Sequence, residues 1–255
     1  MLIGIAASSI SNPCGSSAKE FSPASISGMR LWLKADAGTL DASGNPITVD
    51  STAIATWQDQ SGLNAHATQS TPAVRPILRT GANGQNGKPA VYFSGSTSLV
   101  SGGVSVAGFT VFLAFKSSVA GSLYEQSANI GSNDGFVLYG TSPYTLQVKK
   151  GGVFNALNTS LNWSVGASPK LTTHRYNGTS ASHTLRLNKS AVSTTVQTAG
   201  DPGTTVSNNV IYIASRGASS VFMTGFIYEM IVYNGSLSDS DVIKIENYLS
   251  TKWSI

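Results

Sequence analysis

The stretch EMIVYNGSLSDSDVIKIENYLSTKW, from Glu229 to Trp253, decides the fold because its hydrophobic period changes partway along. Its first part, EMIVYN, is rich in β-branched and aromatic residues, which predicts a β-strand. After a polar NGS turn, apolar residues return at helical spacing, which predicts an α-helix. Nearly everything before this stretch has the pattern of strand and turn. We therefore expect a β-rich domain that ends on a helix.

The start of this helix can be placed at a single residue. Ser238 is a favoured N-cap, because its hydroxyl can accept a hydrogen bond from the free amides of the first turn. Asp241 follows three residues later and predicts a capping box, with Asp in place of the usual Glu. Leu237 is placed to pack on the first turn as a hydrophobic staple. The apolar stripe that predicts packing against the domain consists of Val242, Ile245, Leu249 and Trp253.

Upstream, short apolar runs are separated by Gly, Asn, Pro and Ser clusters, which is the pattern of many short strands. In FTVFLAFK, from Phe109 to Lys116, apolar residues occupy both faces, which indicates a central strand covered on both sides. In HTLRLNK, Leu185 and Leu187 alternate with polar residues, which indicates a strand with one buried face. We therefore predict an all-β fold, an antiparallel β-sandwich with a short C-terminal helix.

The composition excludes several classes of protein. Of the 255 residues, 41% are hydrophobic and only 11% are charged, against roughly 25% charged in ordinary soluble domains. The net charge of +4 is scattered, so we expect no nucleic-acid partner. No apolar run approaches the ~20 residues that span a bilayer, so we expect no membrane partner. The single cysteine, Cys14, cannot form an internal disulfide; a free thiol, an intermolecular bridge and a lipid attachment site stay open.

The composition also divides the chain into an N-terminal arm at residues 1–25 and one domain at residues 26–255. The arm is rich in Ser, Ala and Pro and has little periodicity, whereas strand signals begin at Met29. The first residues, MLIGIAASSI, are mildly apolar but have neither a basic start nor a small-residue cleavage site. We therefore expect no signal peptide.

Three stretches of the domain resemble the concanavalin A-like lectin/glucanase superfamily, and specifically the laminin-G-like modules of phage virion and bacterial surface proteins. LWLKADAG, from Leu31 to Gly38, is similar to their opening strand. WQDQSG and NGKPAVYFSG are similar to their next motifs, and the terminal strand and helix are similar to their last ones. This resemblance spans residues 26–254 and implies a jelly-roll sandwich. Lys34 replaces the first Asp of the family motif, with Asp36 two residues later, which puts any ligand-holding role of that Asp in doubt.

Some members of that superfamily are glycoside hydrolases, which need two carboxylates that flank the scissile bond. None of the four glutamates lies in the E-x-D-x-x-E strand of the glucanase branch: Glu20, Glu125, Glu229 and Glu246. None of the three histidines lies in a close metal-binding pair: His66, His174 and His183. No G-x-S-x-G elbow is present. We therefore expect no enzymatic activity and no catalytic residue.

Loop residues supply candidates for a glycan site, since such sites place a few polar groups over an apolar or aromatic surface. The polar candidates come from WQDQSGLNAHA and GSNDGF: Asp59, Asn64, His66, Asn133 and Asp134. The stacking candidates are Tyr144 and Trp163. The alternative is structural, because Asp-x-Ser-Gly can form an Asx turn and Asn-Asp-Gly favours a hairpin turn. Trp57 is expected in the core rather than in a binding platform.

One further loop, DASGN, offers oxygens at alternate positions, at Asp41, Ser43 and Asn45, loosely like a calcium loop. It lacks the bidentate Glu and the acidic density of such loops. We expect no cofactor, and calcium at this loop is kept as the alternative.

Together these features predict a non-enzymatic phage virion structural protein that displays a lectin-like domain. It would serve as a capsid decoration, head fibre or tail component, located in the virion after synthesis in the host cytoplasm. The arm would bind other virion proteins, a homo-oligomer is expected, and surface glycans are candidate ligands. The alternative is a carbohydrate-binding module of a bacterial surface or secreted adhesin, with an extracellular location.

Overall fold

The computed structural model describes residues 20–141, 143–160 and 168–255. These residues form nineteen strands, four short 3-10 helices and one α-helix, α1, at Asp239–Trp253. The strands are β1 (Met29–Lys34), β2 (Thr39–Leu40), β3 (Thr52–Ala53), β4 (Thr56–Trp57), β5 (Ala67–Thr68), β6 (Ile77–Arg79), β7 (Ala90–Ser94), β8 (Leu99–Ala107), β9 (Phe109–Val119), β10 (Gly121–Gln126), β11 (Gly135–Gly140), β12 (Thr145–Lys150), β13 (Val153–Thr159), β14 (Lys170–Tyr176), β15 (Thr184–Leu187), β16 (Ser190–Ala191), β17 (Thr194–Ala199), β18 (Thr205–Ile213) and β19 (Thr224–Asn234). The 3-10 helices are Pro23–Ser25, Pro72–Val74, Gly81–Asn83 and Ser180–Ser182.

The strands form two antiparallel sheets that pack face to face. Within the described residues, the first sheet has nine strands in the order β16-β15-β14-β9-β19-β7-β6-β3, and β1 pairs with the C-terminal half of β19. The second sheet has ten, in the order β17-β13-β12-β11-β10-β18-β8-β5-β4-β2. The predicted antiparallel β-sandwich with a C-terminal helix is confirmed. None of the helices in the described part of the chain has the length and apolar character that a membrane crossing requires.

Strand β9 lies in the middle of the first sheet, between β14 and β19, as its two apolar faces predict. The Phe109 ring stacks on Phe136 of the second sheet at 4.2 Å, so this face of β9 points into the sandwich. The Phe112 ring meets Tyr233 edge to face at 6.1 Å on the opposite side. That outer face is covered by α1, which packs against β9 and β14. The second covering layer of the strand is therefore a helix and not another sheet.

Helix α1 begins as the sequence predicts. The Ser238 hydroxyl accepts a hydrogen bond from the Asp241 amide at 3.2 Å. The predicted reciprocal bond differs from a standard capping box, since the Asp241 carboxylate accepts from the Ser238 hydroxyl at 3.0 Å. The four residues of the predicted stripe are all fully buried. Burying each such side chain stabilises the docked helix by about 1.5–3 kcal/mol.

A buried carboxylate fixes the far end of α1. Glu229 of β19 has no exposed surface and accepts hydrogen bonds from four donors. They are Trp32 Nε1 of β1 at 2.6 Å, Trp253 Nε1 at 2.9 Å, Tyr248 Oη at 3.1 Å and Lys252 Nζ at 2.7 Å. Because three of these donors belong to α1, the carboxylate joins the helix to two strands of the first sheet.

A second glutamate holds the middle of the helix. Glu246, on α1 itself, is buried and accepts two hydrogen bonds from the Arg186 guanidinium, at 2.8 and 3.0 Å. The Thr173 hydroxyl donates a third at 2.7 Å. Arg186 occupies a polar position in the alternating pattern of β15, and its guanidinium lies against the helix instead of facing water. The buried Leu185 beside it matches the predicted inward face of this strand.

The chain before β1 also contacts the sandwich. The Tyr233 hydroxyl donates to the carbonyl of Pro23 at 2.8 Å, and Phe21 and Ile26 pack against the core. The remainder of the predicted arm, with Cys14, lies outside the described residues.

We expect Glu229→Gln to lower the free energy of unfolding by about 3–5 kcal/mol, the usual loss when one partner of a buried ion pair is removed. The amide keeps the shape of the carboxylate but turns one acceptor into a donor that faces other donors. Urea unfolding of purified protein measures the change.

Asp239→Asn is the matched control for this prediction. Asp239 pairs with Arg175 at 2.6 Å but its side chain is 82% exposed, so little change in stability is expected. Equal stabilities for the two variants would contradict the role assigned to Glu229.

Candidate functional site

The first group of predicted site residues lies in the loop between β4 and β5, where Asp59 organises the backbone. Its Oδ1 accepts from the amides of Trp32 and Ser61, both at 2.9 Å, and its Oδ2 accepts from the Ser61 hydroxyl at 2.7 Å and the Ala65 amide at 3.0 Å. His66 Nδ1 accepts from the Asp59 amide at 3.0 Å. Both oxygens of this buried carboxylate are therefore occupied by the loop and by β1.

Neighbouring Asn64 is exposed in the same loop, with a φ of 59° that Asn tolerates better than most residues. Trp57, at the entrance to this loop, is fully buried, and its indole nitrogen donates to the carbonyl of Lys34 at 2.9 Å. Its predicted place in the core is confirmed.

The remaining predicted residues are not gathered at one surface. Asn133 and Asp134 lie in the loop between β10 and β11, where the Asp134 carboxylate accepts from the Gly151 amide at 3.0 and 3.1 Å. The Tyr144 ring is only 1% exposed, so no ligand can stack on it at the surface. Trp163 lies outside the described residues. No hydrogen bond between described residues joins this loop to the loop of Asp59.

The candidate calcium loop is closed by its own hydrogen bonds. Asp41 Oδ1 accepts from the amides of Ser43 at 2.8 Å and Asn45 at 2.9 Å, which is an Asx-type turn. The hydrogen bond from the Asn45 amide lowers the pKa of Asp41. Desolvation raises it by less, so the pKa stays below its usual range. Among the described residues, no group of three or more His, Cys, Asp or Glu side chains is placed to hold a metal ion.

Three groups in the interior have pKa values shifted by burial: Glu125, His174 and His183. Burial raises the pKa of Glu125, against the opposing effects of the Ile130 amide and Arg216. Burial lowers the pKa of His183 to about 3, and burial together with the charge of His183 lowers that of His174 well below its usual value. Shifted groups in a cleft would be candidates for catalysis, but a buried histidine pair has no path to a substrate. We interpret both histidines as structural.

The two histidines belong to a polar chain that crosses between the sheets. Tyr124 Oη lies 2.8 Å from His174 Nδ1, and the two Nε2 atoms of His174 and His183 lie 2.8 Å apart. His183 Nδ1 lies 2.6 Å from the Asn155 side-chain oxygen. The Asn155 amide nitrogen donates to the carbonyl of Gly200 at 3.0 Å, so its oxygen is an acceptor.

These contacts fix the position of every proton in the chain. Because the Asn155 oxygen accepts, His183 must carry its proton on Nδ1, and its Nε2 accepts. His174 must then donate from Nε2 and accept on Nδ1 from the Tyr124 hydroxyl. The two neutral rings are therefore opposite tautomers. Protonating His183 on Nε2 would place a second donor against the Nε2–H of His174, in a buried site.

An open groove of about 850 Å³ lies where α1 meets β1 and residues 20–22; we call it the α1 groove. Its apolar surface comes from Phe21 and Tyr248, whose rings meet edge to face at 6.2 Å, and from the edge of Trp32. Lys34 places its Nζ 4.8 Å from the centre of the Trp32 ring. This volume lies within the usual range of small-ligand sites, roughly 300–1,000 Å³.

Polar side chains form the rest of the groove. Exposed amide and hydroxyl groups come from Asn86, Asn247 and Thr251. Asn86 donates to the carbonyl of Lys252 at 3.0 Å, and Gln85 donates to that of Trp253 at 2.8 Å. The loop before β7 therefore caps the last turn of α1 and fixes this wall of the groove.

The charge of the groove is positive overall. Its lysines are Lys34, Lys88, Lys244 and Lys252, and its acids are Glu20 and Asp36, which gives a formal charge of 4 − 2 = +2. Lys252 binds Asp36 at 2.9 Å as well as Glu229, so one acid is already paired. The sequence does not predict this site, because its lining residues come from β1 and α1, which lie near opposite ends of the chain. The available signal is the NGK motif, which supplies Asn86 and Lys88 to the groove but indicates only the fold.

No protein-family profile and no curated protein sequence matches the chain. Solved structures do match. The binding domain of Paraclostridial Mosquitocidal Protein 1 has a TM-score of 0.59 at 14% identity, over 89% of this chain and 53% of that chain. Domain 4 of AbnA, a GH43 extracellular arabinanase from Geobacillus stearothermophilus, in complex with arabinotriose, has a TM-score of 0.60 at 12% identity, over 86% and 98%. Trypanosoma rangeli sialidase in complex with the inhibitor DANA has a TM-score of 0.51 at 11% identity, over 85% and 32%.

These similarities show a fold and not an activity, since every identity is below 25%. The chain spans about half of the first of these proteins and about a third of the sialidase. The predicted antiparallel jelly-roll β-sandwich is confirmed at the level of the fold. The narrower resemblance to laminin-G-like modules stays a prediction.

We expect nitrogen NMR to show His174 protonated on Nε2 and His183 protonated on Nδ1, with neither ring titrating near pH 6.5. Two rings of the same tautomer, or either ring titrating at its ordinary pKa, would contradict the proton order.

The lowered pKa values also make stability depend on pH. Between about pH 6.5 and 3 the histidines of the unfolded chain bind protons, whereas those of the folded chain stay neutral. Their contribution to stability is therefore complete above pH 6.5 and declines as the pH falls. His183→Gln, which removes one of these groups, should flatten the fall in unfolding free energy between pH 6.5 and 4.

Proposed function

We propose that this chain is a non-enzymatic glycan-binding module and that the α1 groove holds the glycan. The observation that supports this most directly is the lining of the groove. Phe21, Tyr248 and the edge of Trp32 provide apolar surface, and Asn247 and Thr251 expose amide and hydroxyl groups beside it. A sugar has an apolar ring face and a rim of hydroxyls, which such a lining matches.

The carboxylates favour binding over hydrolysis. A glycosidase needs one carboxyl group as acid and another as nucleophile or base, on either side of an open site. Glu125, Glu229 and Glu246 are buried and engaged in hydrogen bonds. Of the two acids that line the groove, Glu20 and Asp36, the second binds Lys252 at 2.9 Å. A bound sugar would meet amides, hydroxyls and lysines, and Glu20 is the one groove acid that Lys252 does not bind.

The structural comparisons add support of a general kind. One similar domain was solved with arabinotriose and another is a binding domain. We therefore name arabinotriose as the first probe, within a wider array of neutral oligosaccharides.

Thr251→Trp should abolish or weaken glycan binding by at least about tenfold, because an indole at this exposed position of α1 fills the groove. Binding is measured first on a glycan array and then by calorimetric titration with the best neutral ligand, starting with arabinotriose.

Ile243→Trp is the matched control, since Ile243 is a half-exposed residue of the same helix that does not line the groove. It should bind like the wild type. A wild-type protein that retains no glycan above background would refute the function, and equal loss in both variants would refute the site.

We also propose that the module is displayed on a phage virion. The support is the low-charge Ser/Thr/Gly-rich surface and the resemblance to modules of virion proteins. In this proposal residues 1–19 bind another virion protein and the sandwich faces outward, and an extracellular bacterial adhesin is the alternative.

Deletion of residues 1–19 should abolish incorporation into particles while leaving a folded domain. The deletion stops before Phe21 and Pro23 because both contact the sandwich. Incorporation is measured by immunoblot of purified particles, and folding by circular dichroism. Particles that still carry the shortened chain would refute the role of this segment.

A further inference from the structure

The outer face of the second sheet carries a second polar site, on the opposite side of the sandwich from α1. Strand pleating places Glu125, Val137 and Tyr139 on this face, since their neighbours Tyr124, Phe136 and Leu138 belong to the main core. Tyr212 of β18 lies directly opposite Glu125 and Gln147 of β12 lies opposite Val137, and both are partly exposed. Glu125, Val137 and Tyr139 are buried, the last two under Ile130 of the loop between β10 and β11, so the accessible part of this face lies at Tyr212 and Gln147.

Arg216 is fixed at the edge of this surface. Its Nε donates to Glu125 Oε2 at 3.1 Å, and its guanidinium lies 4.9 Å from the centre of the Tyr139 ring. Its side chain is 27% exposed, while that of Glu125 is fully buried. The two terminal nitrogens make no hydrogen bond to any described residue. They therefore present donors in one orientation without an internal acceptor.

Glu125 acts as the holder of this arginine. Its Oε1 accepts from the Ile130 amide at 2.6 Å, and its Oε2 accepts from the Tyr139 hydroxyl at 3.3 Å in addition to Arg216. With one guanidinium edge bound and one face against a ring, Arg216 loses little further freedom when a ligand binds. This preorganisation increases affinity.

The backbone around Arg216 is also constrained. Ala214, Gly217, Ala218 and Val221 have φ values of 63°, 57°, 55° and 49°. Such values are uncommon for residues with a side chain and are outliers for a β-branched one such as Val221. The Arg216 amide donates to the carbonyl of Ser220 at 2.8 Å and closes the turn. Strained turns of this kind cluster at functional sites, where they hold a side chain in place.

We propose that Arg216 binds the carboxylate of an acidic sugar whose ring lies along the outer face of the second sheet. A planar carboxylate can accept two parallel hydrogen bonds from the terminal nitrogens of a guanidinium. A dianionic phosphate is disfavoured because Glu125 lies 3.1 Å from Nε and repels additional negative charge. This inference rests on the proposed glycan-binding function, but it concerns a site separate from the α1 groove.

The test is calorimetric titration of the full chain with trigalacturonic acid and with its methyl ester. The free acid should bind at least about tenfold more tightly, because the ester removes a charge-assisted pair of hydrogen bonds.

Arg216→Lys keeps a cation beside Glu125 but loses the planar guanidinium. It should lose that tenfold preference and bind the ester unchanged. Arg186→Lys, an arginine held by a glutamate on the opposite side of the sandwich, should keep the wild-type preference.

Unfolding midpoints check that the variants fold. If Arg216→Lys is unfolded, the double variant Glu125→Gln, Arg216→Met removes both charges together and should lose the same preference. Equal affinity of the wild type for acid and ester would overturn the inference. The inference would also be overturned by an Arg216→Lys variant that retains the preference, or by tighter binding of a sulfated trisaccharide than of the acid.

Thr251→Trp separates the two proposals: it should abolish neutral-glycan binding in the α1 groove and leave the preference for acid over ester intact.

Discussion

The carboxylate of Glu229 determines where α1 docks. It is fully buried on the outer face of the first sheet and binds the indoles of Trp32 and Trp253, the Tyr248 hydroxyl and the Lys252 ammonium. A buried carboxylate left without donors would be strongly unfavourable, so the sheet can bury this charge only when the helix is in position. Without the helix, the apolar outer face of the central strands would also be open to water. The groove that we propose as a binding site is the space left beside this contact.

The same device recurs on each side of the molecule. Glu246 holds Arg186 between the helix and the first sheet, and Glu125 holds Arg216 against Tyr139 on the second. Three of the four glutamates are thus used inside the fold. A chain with so few charges has placed most of its glutamates where they orient other side chains.

The sequence predicted the parts of the fold that depend on near neighbours. The Ser238 cap, the apolar stripe of α1 and the two apolar faces of β9 each follow from spacing within one segment. The site did not follow, because its contacts join distant positions: Trp32 and Glu229 lie 197 residues apart. Asp59 shows a second limit of prediction from local sequence, because one pattern can fit two structures. Its loop pattern fits both a ligand site and an Asx turn, and only the four donors around it in the folded chain decide for the turn.

The placement of α1 has one more consequence for function. The helix covers the outer face of the first sheet at β9 and β14, and the α1 groove lies at the edge of the helix, beside β1. Among the described residues no helix covers the second sheet; the loop between β10 and β11 packs Ile130 on Val137 and Tyr139, and the face is accessible beside Arg216, at Tyr212 and Gln147. The two surfaces that we propose as sites therefore differ in their setting: one lies beside a docked helix and the other on a sheet, and Glu229 determines the first by holding the helix in place.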